Sequence, residues 1–366
     1  MKRVLEILTY INGGGAAMVV YNYLSHMNRN GLHVDVLALE QPFKPFLEDK
    51  FKDLGVDVYY LPKKVSKRIG VFKKLIHNNR YDVIHSHCEF MSEIYLGIAM
   101  LNGVKTRIIH SHMAGGRYSK LKNLYAPIGR LIAKKVATHY FGCGIDACKS
   151  MWGEKAFNQG KCYVLNNAID IQKFRFNSNT RNDVRKEMGW ENHFVVVNVG
   201  RFVEQKNHKF LIDVFHSLTE QRKDSLLVLI GEGPLKDEVE KKVKELTIED
   251  RVIFLGLRDD VARLMNGADV FFLPSLFEGL PIVSIEAQTN GLPIVMSEGV
   301  THESGITNIA SFVSFNSSME VWVNALLKKQ SDKRDSYSTK VQAMNFDLSL
   351  EAAKLRNFYI SGSLKI

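Results

Sequence analysis

Glu278 and Glu286 stand eight residues apart in the segment Glu278-Gly-Leu-Pro-Ile-Val-Ser-Ile-Glu286, directly after the apolar run Asp269-Val-Phe-Phe-Leu273. The run reads as a buried parallel strand, Gly279 and Pro281 as a tight turn, and Ile282 onward as a helix opening at that turn. Both carboxylates therefore belong near the carboxyl edge of a sheet, where open α/β folds bind ligands. A second loop, Gly200-Arg201-Phe-Val-Glu-Gln-Lys206, follows the strand Val195–Val199. A guanidinium grips phosphate oxygens as a fork and an ammonium acts as a movable point charge, so Arg201 and Lys206 suit a diphosphate. Two glycine loops complete the set. Asn12-Gly13-Gly14-Gly15 precedes a predicted helix whose amino terminus attracts an anion, and Gly231-Glu-Gly233-Pro234 follows Leu227–Ile230.

Histidines mark the first half. His85-Ser-His87 and His110-Ser-His112 both end predicted strands, and the alternation of an extended chain puts both imidazoles of each pair on one side. Such spacing could bind a metal. No carboxylate or cysteine with ligand geometry is evident beside them, so no metal is expected, and His85 and His110 read equally as satisfied core groups. Asp-x-Asp, the pair that holds a diphosphate through a divalent cation, occurs nowhere in the chain.

The elements that must position these residues alternate along the whole chain. Strands are predicted at Val4–Thr9, Val34–Leu39, Val58–Leu61, Val83–Ser86, Arg107–His110 and Tyr140–Cys143, then at Phe194–Val199, Leu226–Ile230, Val252–Leu255, Val270–Leu273 and Ile294–Met296. Helical periods lie between them, for example Ala16–Met27, Glu93–Leu101 and stretches near 207–220, 235–246 and 282–290. Alternation of this kind implies parallel sheets with right-handed crossovers. A polar segment, Asn166–Asn192, divides the chain. The predicted fold class is α/β, with two doubly wound Rossmann-like domains, 1–170 and 171–344, facing a central cleft. A C-terminal helix within about 345–366 is expected to pack back on the first domain.

A chain of 366 residues exceeds what one hydrophobic core usually supports, and 45% hydrophobic with 24% charged residues is a globular composition. No apolar stretch reaches the ~18 residues that cross a bilayer. The four cysteines, Cys88, Cys143, Cys148 and Cys162, form no Cys-x-x-Cys pair and read as reduced core thiols, which suits a cytoplasmic location. The net charge of +10 is uneven: residues 1–170 hold 24 Lys and Arg against 13 Asp and Glu, giving +11, and the remainder hold 25 against 26, giving −1. Lys63, Lys64, Lys67, Arg68, Lys73 and Lys74 cluster on one predicted helix, and Lys120, Lys122, Arg130, Lys134 and Lys135 on another with an apolar stripe. A basic amphipathic surface can hold anionic lipid headgroups, nucleic acid or a polyanionic substrate, and a solvated face is the plain alternative. A nucleic-acid-binding protein drawn by the basic half is the least favoured alternative, because the aromatic and basic interleaving of such binders is missing, and no nucleic-acid partner is expected.

Taken in order, the glycine loop at 12–15, Asn166-Asn-Ala-Ile-Asp170, Gly200-Arg201 with Lys206, Gly231-Glu-Gly233 and Glu278 with Glu286 resemble the retaining GT-B glycosyltransferases of the GT4 type, nearly end to end. The resemblance is nearest to enzymes of capsular, exopolysaccharide or lipopolysaccharide assembly. It implies a sugar nucleotide, most plausibly a UDP-sugar, in the second domain and a glycan or polyprenyl-linked acceptor on the first. It places Arg201 and Lys206 on the phosphates, Glu286 on the ribose hydroxyls and Glu278 near the donor sugar. Gly14, Gly15, Gly200, Gly231, Gly233, Phe277, Gly279, Leu280, Pro281 and Ile282 would line the donor, and His112 would touch its sugar from the acceptor side. No cofactor and no metal are implied. The family's Asn-Gly-x-Asp appears as Asn167-Ala168-Ile169-Asp170, which bears on the interdomain turn. Nucleotide-sugar epimerases and glycogen phosphorylases share the two-domain plan and form the rival reading, with contact at the inner face of an anionic membrane a further expectation.

Overall fold

The computed structural model describes residues 1–11, 15–40, 47–88, 91–112, 120–328, 334 and 337–363, excepting the side chains of 120–127. The chain divides into two compact units, residues 1–168 with 347–366, and residues 169–346. The division falls inside the polar segment, beside the buried Ala168 and just before Asp170, which caps the short helix Ile171–Phe174 by accepting from the Lys173 amide.

The first unit holds β1 (Lys2–Leu8), β2 (Leu32–Ala38), β3 (Asp57–Tyr60), β4 (Val83–Ser86), β5 (Thr106–Ser111), β6 (His139–Gly142) and β7 (Cys162–Val164). All pair in parallel in the order β3-β2-β1-β4-β5-β6-β7. The second unit holds β8 (Phe194–Val199), β9 (Ser225–Ile230), β10 (Val252–Gly256), β11 (Val270–Leu273), β12 (Ile294–Ser297) and β13 (Ala310–Val313), parallel in the order β10-β9-β8-β11-β12-β13. Each order reverses direction once, between β1 and β4 and between β8 and β11. Those two switch points are where a doubly wound sheet leaves room for a ligand.

Burial on both faces explains the strand sequences. In β8, Val195 and Val197 pack with Phe271, Leu273 and Ile285, and the alternate residues Phe194 and Val196 pack with Phe215, Phe272 and Trp322 on the other face. A parallel strand covered on both sides reads as a continuous apolar run, which is how the sequence displays it. The edge strands β7 and β13 go unpredicted. The C-terminal helix, Leu348–Ser361, starts at Asp347, whose carboxylate accepts from the Ser349 and Leu350 amides, and belongs to the first unit. There it buries Leu355, Phe358 and Tyr359, and Arg356 donates to the carbonyls of Asn28 and Asn30.

The reading of all four cysteines as thiols is corrected for two of them. Cys148 and Cys162 form a disulfide across a Cα separation of 6.0 Å, joining the helix Ile145–Trp152 to β7, while Cys88 and Cys143 are buried thiols. A sequence separation of 14 with no Cys-x-x-Cys pattern carries no sign of that pairing; tertiary packing alone supplies it. Among the described residues no helix is long and apolar enough to cross a membrane.

Candidate functional site

The second switch point gathers most of the predicted residues. β8 ends at Val199, and the loop 200–207 leads into the helix His208–Gln221; β11 ends at Leu273, and the loop 274–281 leads into the helix Ile282–Thr289. The two loops are stitched together. The Leu276 amide donates to the Gln205 carbonyl at 2.8 Å, and Gln205 Nε2 donates to the Phe277 carbonyl at 2.9 Å. Across the stitch, Lys206 Nζ pairs with Glu278 Oε1, which also accepts from Ser275 Oγ at 3.0 Å. Both partners are largely shielded, with side-chain exposures of 16% and 11%. A charge-assisted pair of that kind fixes an otherwise mobile ammonium. Beside it Arg201 is exposed, and no side-chain hydrogen bond or ion pair to the described residues restrains its guanidinium.

The glycines here answer to their neighbours. A Cβ on Gly231, whose φ is +144°, would stand 2.0 Å from the Gly200 carbonyl oxygen, and one on Gly233 would stand 2.5 Å from the Phe202 carbonyl oxygen. The loop after β9 therefore lies flat against the loop after β8, held by hydrogen bonds from the Gly200 amide to the Ile230 carbonyl and from the Phe202 amide to the Glu232 carbonyl. Gly299 plays the same part on the other side: a Cβ there would meet the Leu276 carbonyl oxygen at 2.2 Å, and the Glu278 amide donates to the Gly299 carbonyl at 2.9 Å. Backbone crowding thus fixes where Glu278 stands.

Glu286 lies on the helix Ile282–Thr289, partly buried, and its side chain has no hydrogen-bond partner among the described residues. Burial pushes its carboxyl up to about 7, with Lys173 pulling the other way. A carboxyl balanced near neutrality and unsatisfied is ready to accept from ligand hydroxyls. His208 is buried, stacked on Phe202 at a ring distance of 4.2 Å, and held down to about 4 by burial and then by Lys206. It stays neutral beside the cationic Lys206. Gly279, Leu280, Pro281 and Ile282 form the turn into the helix, Leu280 and Pro281 buried, while Phe277 is 43% exposed.

His112 and Gly15 belong to the first unit. Gly15 takes φ +60° at the start of the helix Ala16–His26, a conformation that favours glycine; Gly14 lies outside the described residues. His112 follows β5, and its Nε2 lies 2.7 Å from His87 Nδ1, so the two His-Ser-His pairs meet. Burial, then His87, keeps His112 well below the ordinary histidine range. Beneath them stands a group that sequence reasoning passed over. Glu6 of β1 is 2% exposed and aligned with His85 in the parallel register; its Oε2 lies 2.9 Å from His87 Nε2, and its Oε1 accepts from the Tyr359 hydroxyl at 2.5 Å. The premise for setting metal aside, that no carboxylate lies near these histidines, does not hold. The available signal was a single acid inside the apolar strand Val-Leu-Glu6-Ile-Leu. Ser275, Gln205 and Gly299 carried no comparable sign.

Known proteins resemble this chain in both halves. The model of Glycosyltransferase Family 4 matches residues 13–173, and that of Glycosyl transferases group 1 matches residues 180–340. The chain is 28% identical over 371 residues to the putative glycosyltransferase EpsF of Bacillus subtilis, covering 98% of this chain and 96% of that protein. It is 26% identical to the UDP-Gal:alpha-D-GlcNAc-diphosphoundecaprenol alpha-1,3-galactosyltransferase of Escherichia coli, over 80% of this chain and 78% of that one. The crystal structure of Anabaena Alr3699/HepE in complex with UDP superposes with a TM-score of 0.77 at 18% identity, covering 99% of this chain and all of the other. Two Rossmann-like domains with these strand orders are the GT-B architecture. With both halves matched, the chain belongs to the group 1, family 4 glycosyltransferases.

Proposed function

We propose that this enzyme is a retaining transferase that moves a sugar from a UDP-sugar to a glycan or lipid-linked acceptor in cell-surface polysaccharide assembly, on the cytoplasmic face of the membrane. The observation that carries the reading is the stitched edge where Lys206, clamped by Glu278, stands on the same loop as the unrestrained Arg201. As the bond between sugar and phosphate breaks, negative charge grows on the diphosphate. Arg201 and Lys206 offset it without a divalent cation, in keeping with a chain that lacks Asp-x-Asp. Glu286 accepts from the ribose hydroxyls, Glu278 faces the donor sugar, and backbone amides from Gly279 to Ile282 add donors at the helix start. His112 holds the sugar from the acceptor side. The departing phosphate takes the acceptor proton on the same face, which keeps the anomeric configuration.

The likeness to a diphosphoundecaprenol-dependent galactosyltransferase supports a lipid-linked acceptor. The first unit offers a matching surface: Lys63, Lys64, Lys67, Lys73 and Lys74 are exposed on or beside the helix Val65–Asn79 together with Val65 and Ile69, and Ile128, Leu131 and Ile132 are exposed on the helix Lys120–Val136. Exposed basic residues on the same helices as exposed apolar ones suit an anionic bilayer. The test is a melting series with UDP, GDP, ADP and their sugar conjugates, because a ligand that binds only the folded chain raises its melting temperature. A rise confined to uridine nucleotides is expected. No rise with any nucleotide would overturn the reading.

A further inference from the structure

The first unit carries a run of hydrogen-bonded side chains that ends on His112. Parallel pairing builds it. Glu6 of β1 lies opposite His85 of β4, and one residue past β4 the His87 amide donates to the Ile7 carbonyl at 2.9 Å, continuing the ladder. Alternation along the chain returns the His87 ring to the side of His85, 4.2 Å away between centroids, where it meets Glu6. His112, one residue past β5, stands at the same level on the next strand, its ring 5.0 Å from that of His87. Four side chains follow in line: Tyr359, Glu6, His87 and His112.

The direction of each bond follows from the one before it. Burial and then the charge of Glu6 raise the Tyr359 hydroxyl well above the ordinary tyrosine range, so it keeps its proton and donates to Glu6 Oε1. A carboxylate only accepts, so Glu6 Oε2 takes the Nε2–H of His87 at 2.9 Å. With one proton on each imidazole, Nδ1 of His87 holds a lone pair, and it faces His112 Nε2 at 2.7 Å. His112 Nε2 is then the donor, and the lone pair of His112 falls on Nδ1. Both oxygens of Glu6 and both nitrogens of His87 are spent in these bonds. The face of the His112 ring is held as well, by His110 stacked on it at 4.2 Å. Burial, joined by the neighbouring imidazoles, keeps His110 well below the usual histidine range, so the packing ring carries no charge.

We propose that Glu6 and His87 are positioning residues for sugar transfer: they hold the His112 ring in one orientation and one tautomer, so that it meets the donor sugar through the Nδ1 lone pair. The proposal rests on the reading that His112 meets that sugar. A lone pair accepts from a sugar hydroxyl and suits the positive charge that grows on the sugar as its bond to phosphate breaks, whereas an N–H in its place opposes that charge. A ring that could turn would present either one, and a misplacement of about 1 Å can cost roughly a hundredfold in rate.

Two measurements test it. Chain labelled with ¹⁵N in its twelve histidines shows the tautomer of each imidazole by two-bond nitrogen–proton correlation, and His112→Ala identifies the His112 signals. At about pH 8, above the ordinary histidine range, His112 is expected to carry its proton on Nε2 alone, and in His87→Phe to exchange it between both nitrogens. The second measurement is UDP release from UDP-galactose or UDP-glucose with water as the acceptor. His87→Phe should cut its rate by about tenfold or more, leave the UDP-induced rise in melting temperature unchanged, and add nothing on top of His112→Ala. A wild-type His112 protonated on Nδ1, or exchanging between its two nitrogens, overturns the proposal whatever the variants do. So does a full further loss when His87→Phe is placed on His112→Ala, which would mark a purely structural part for His87. The two failures separate: a normal UDP response with near-normal turnover in His87→Phe strikes the relay alone, whereas melting that responds to no uridine nucleotide strikes the donor reading and the relay with it.

Discussion

The two units repeat one strand order yet use their switch points in opposite ways. In the first, the ionisable groups sit on the strands themselves: Glu6 in β1, His85 in β4 and His110 in β5, all dry, with Glu6 and His85 hydrogen-bonded to Tyr359 and His110 to no described group. In the second, the strands end in apolar or neutral residues, and the ionisable groups come from loops and helix starts: Arg201, Lys206, Glu278 and Glu286, all at least partly open to water. A side chain carried on a central parallel strand points into a helix-covered layer and is desolvated. One carried just past the strand end meets solvent and any ligand. The same scaffold thus makes an interior cluster in one copy and a ligand-facing edge in the other.

The largest effect that would sharpen this contrast is on turnover. If the second edge handles the donor, Arg201→Ala or Lys206→Ala should cut UDP release from a UDP-sugar with acceptor by about a hundredfold, the worth of one preorganised contact of ~3 kcal/mol. Circular dichroism should show the fold unchanged. Lys206→Ala also strips Glu278 of its partner, leaving only Ser275 on that oxygen, so it should be the more damaging of the two. Near-normal turnover in both variants would break the comparison at its stronger end.

Next in size is backbone crowding. Gly231→Ala forces a methyl group against the Gly200 carbonyl at a positive φ and should lower stability by about 2–3 kcal/mol. In the first unit, Gly70 lies in the helix Val65–Asn79 with nothing within 4 Å of an added Cβ, so Gly70→Ala should raise stability by about 1 kcal/mol. Chemical denaturation followed by fluorescence reads both. Tolerance of Gly231→Ala would mean that the loops after β8 and β9 are not pressed together.

These glycines also show what a sequence can and cannot disclose. The loop Gly231-Glu-Gly233 is visible as a turn after a strand, but its reason for glycine is a neighbour thirty residues upstream, and such proximity has no local signature. Glu278 and Glu286 were legible because the apolar run, turn and helix around them each have a period or a breaker residue. Glu6 shows in the sequence only as one acid inside an apolar strand. Its meaning comes from parallel pairing with β4, a long-range register that patterning does not specify.

A smaller effect follows from Glu286. Burial raises its folded carboxyl from 4.5 to about 7, so the folded state holds a proton that the unfolded chain releases earlier. That contribution is fully present below pH 4.5 and is lost as the pH climbs through 7. Glu286→Gln cannot ionise, so it should match wild type at pH 4 and exceed it at pH 8 by about 2 kcal/mol, after discounting for partial exposure. Melting curves at the two pH values decide. UDP affinity should move the other way in wild type, weakening as the pH falls below 7, because a protonated carboxyl loses an acceptor for the ribose hydroxyls. A pH-independent affinity in calorimetry would remove Glu286 from the ribose.

The smallest effect concerns the surface that distinguishes the units most plainly in charge, +11 against −1 when the chain is split after residue 170. Leu131 on the helix Lys120–Val136 is 63% exposed, which is costly for a leucine unless something apolar covers it, and Lys134 and Lys135 are exposed one turn further on. A bilayer would take the leucine among its acyl chains and the lysines among anionic headgroups, with each lysine contributing about 1 kcal/mol. Sedimentation with vesicles of anionic lipid at low salt should therefore recover more chain than with neutral vesicles. Lys134→Glu should weaken the binding by about fivefold or more, and Leu131→Ser should weaken it at high salt as well, where lysine attraction is screened. Equal recovery on neutral and anionic vesicles would show that the basic half is a solvated face, leaving the two units different in their interiors alone.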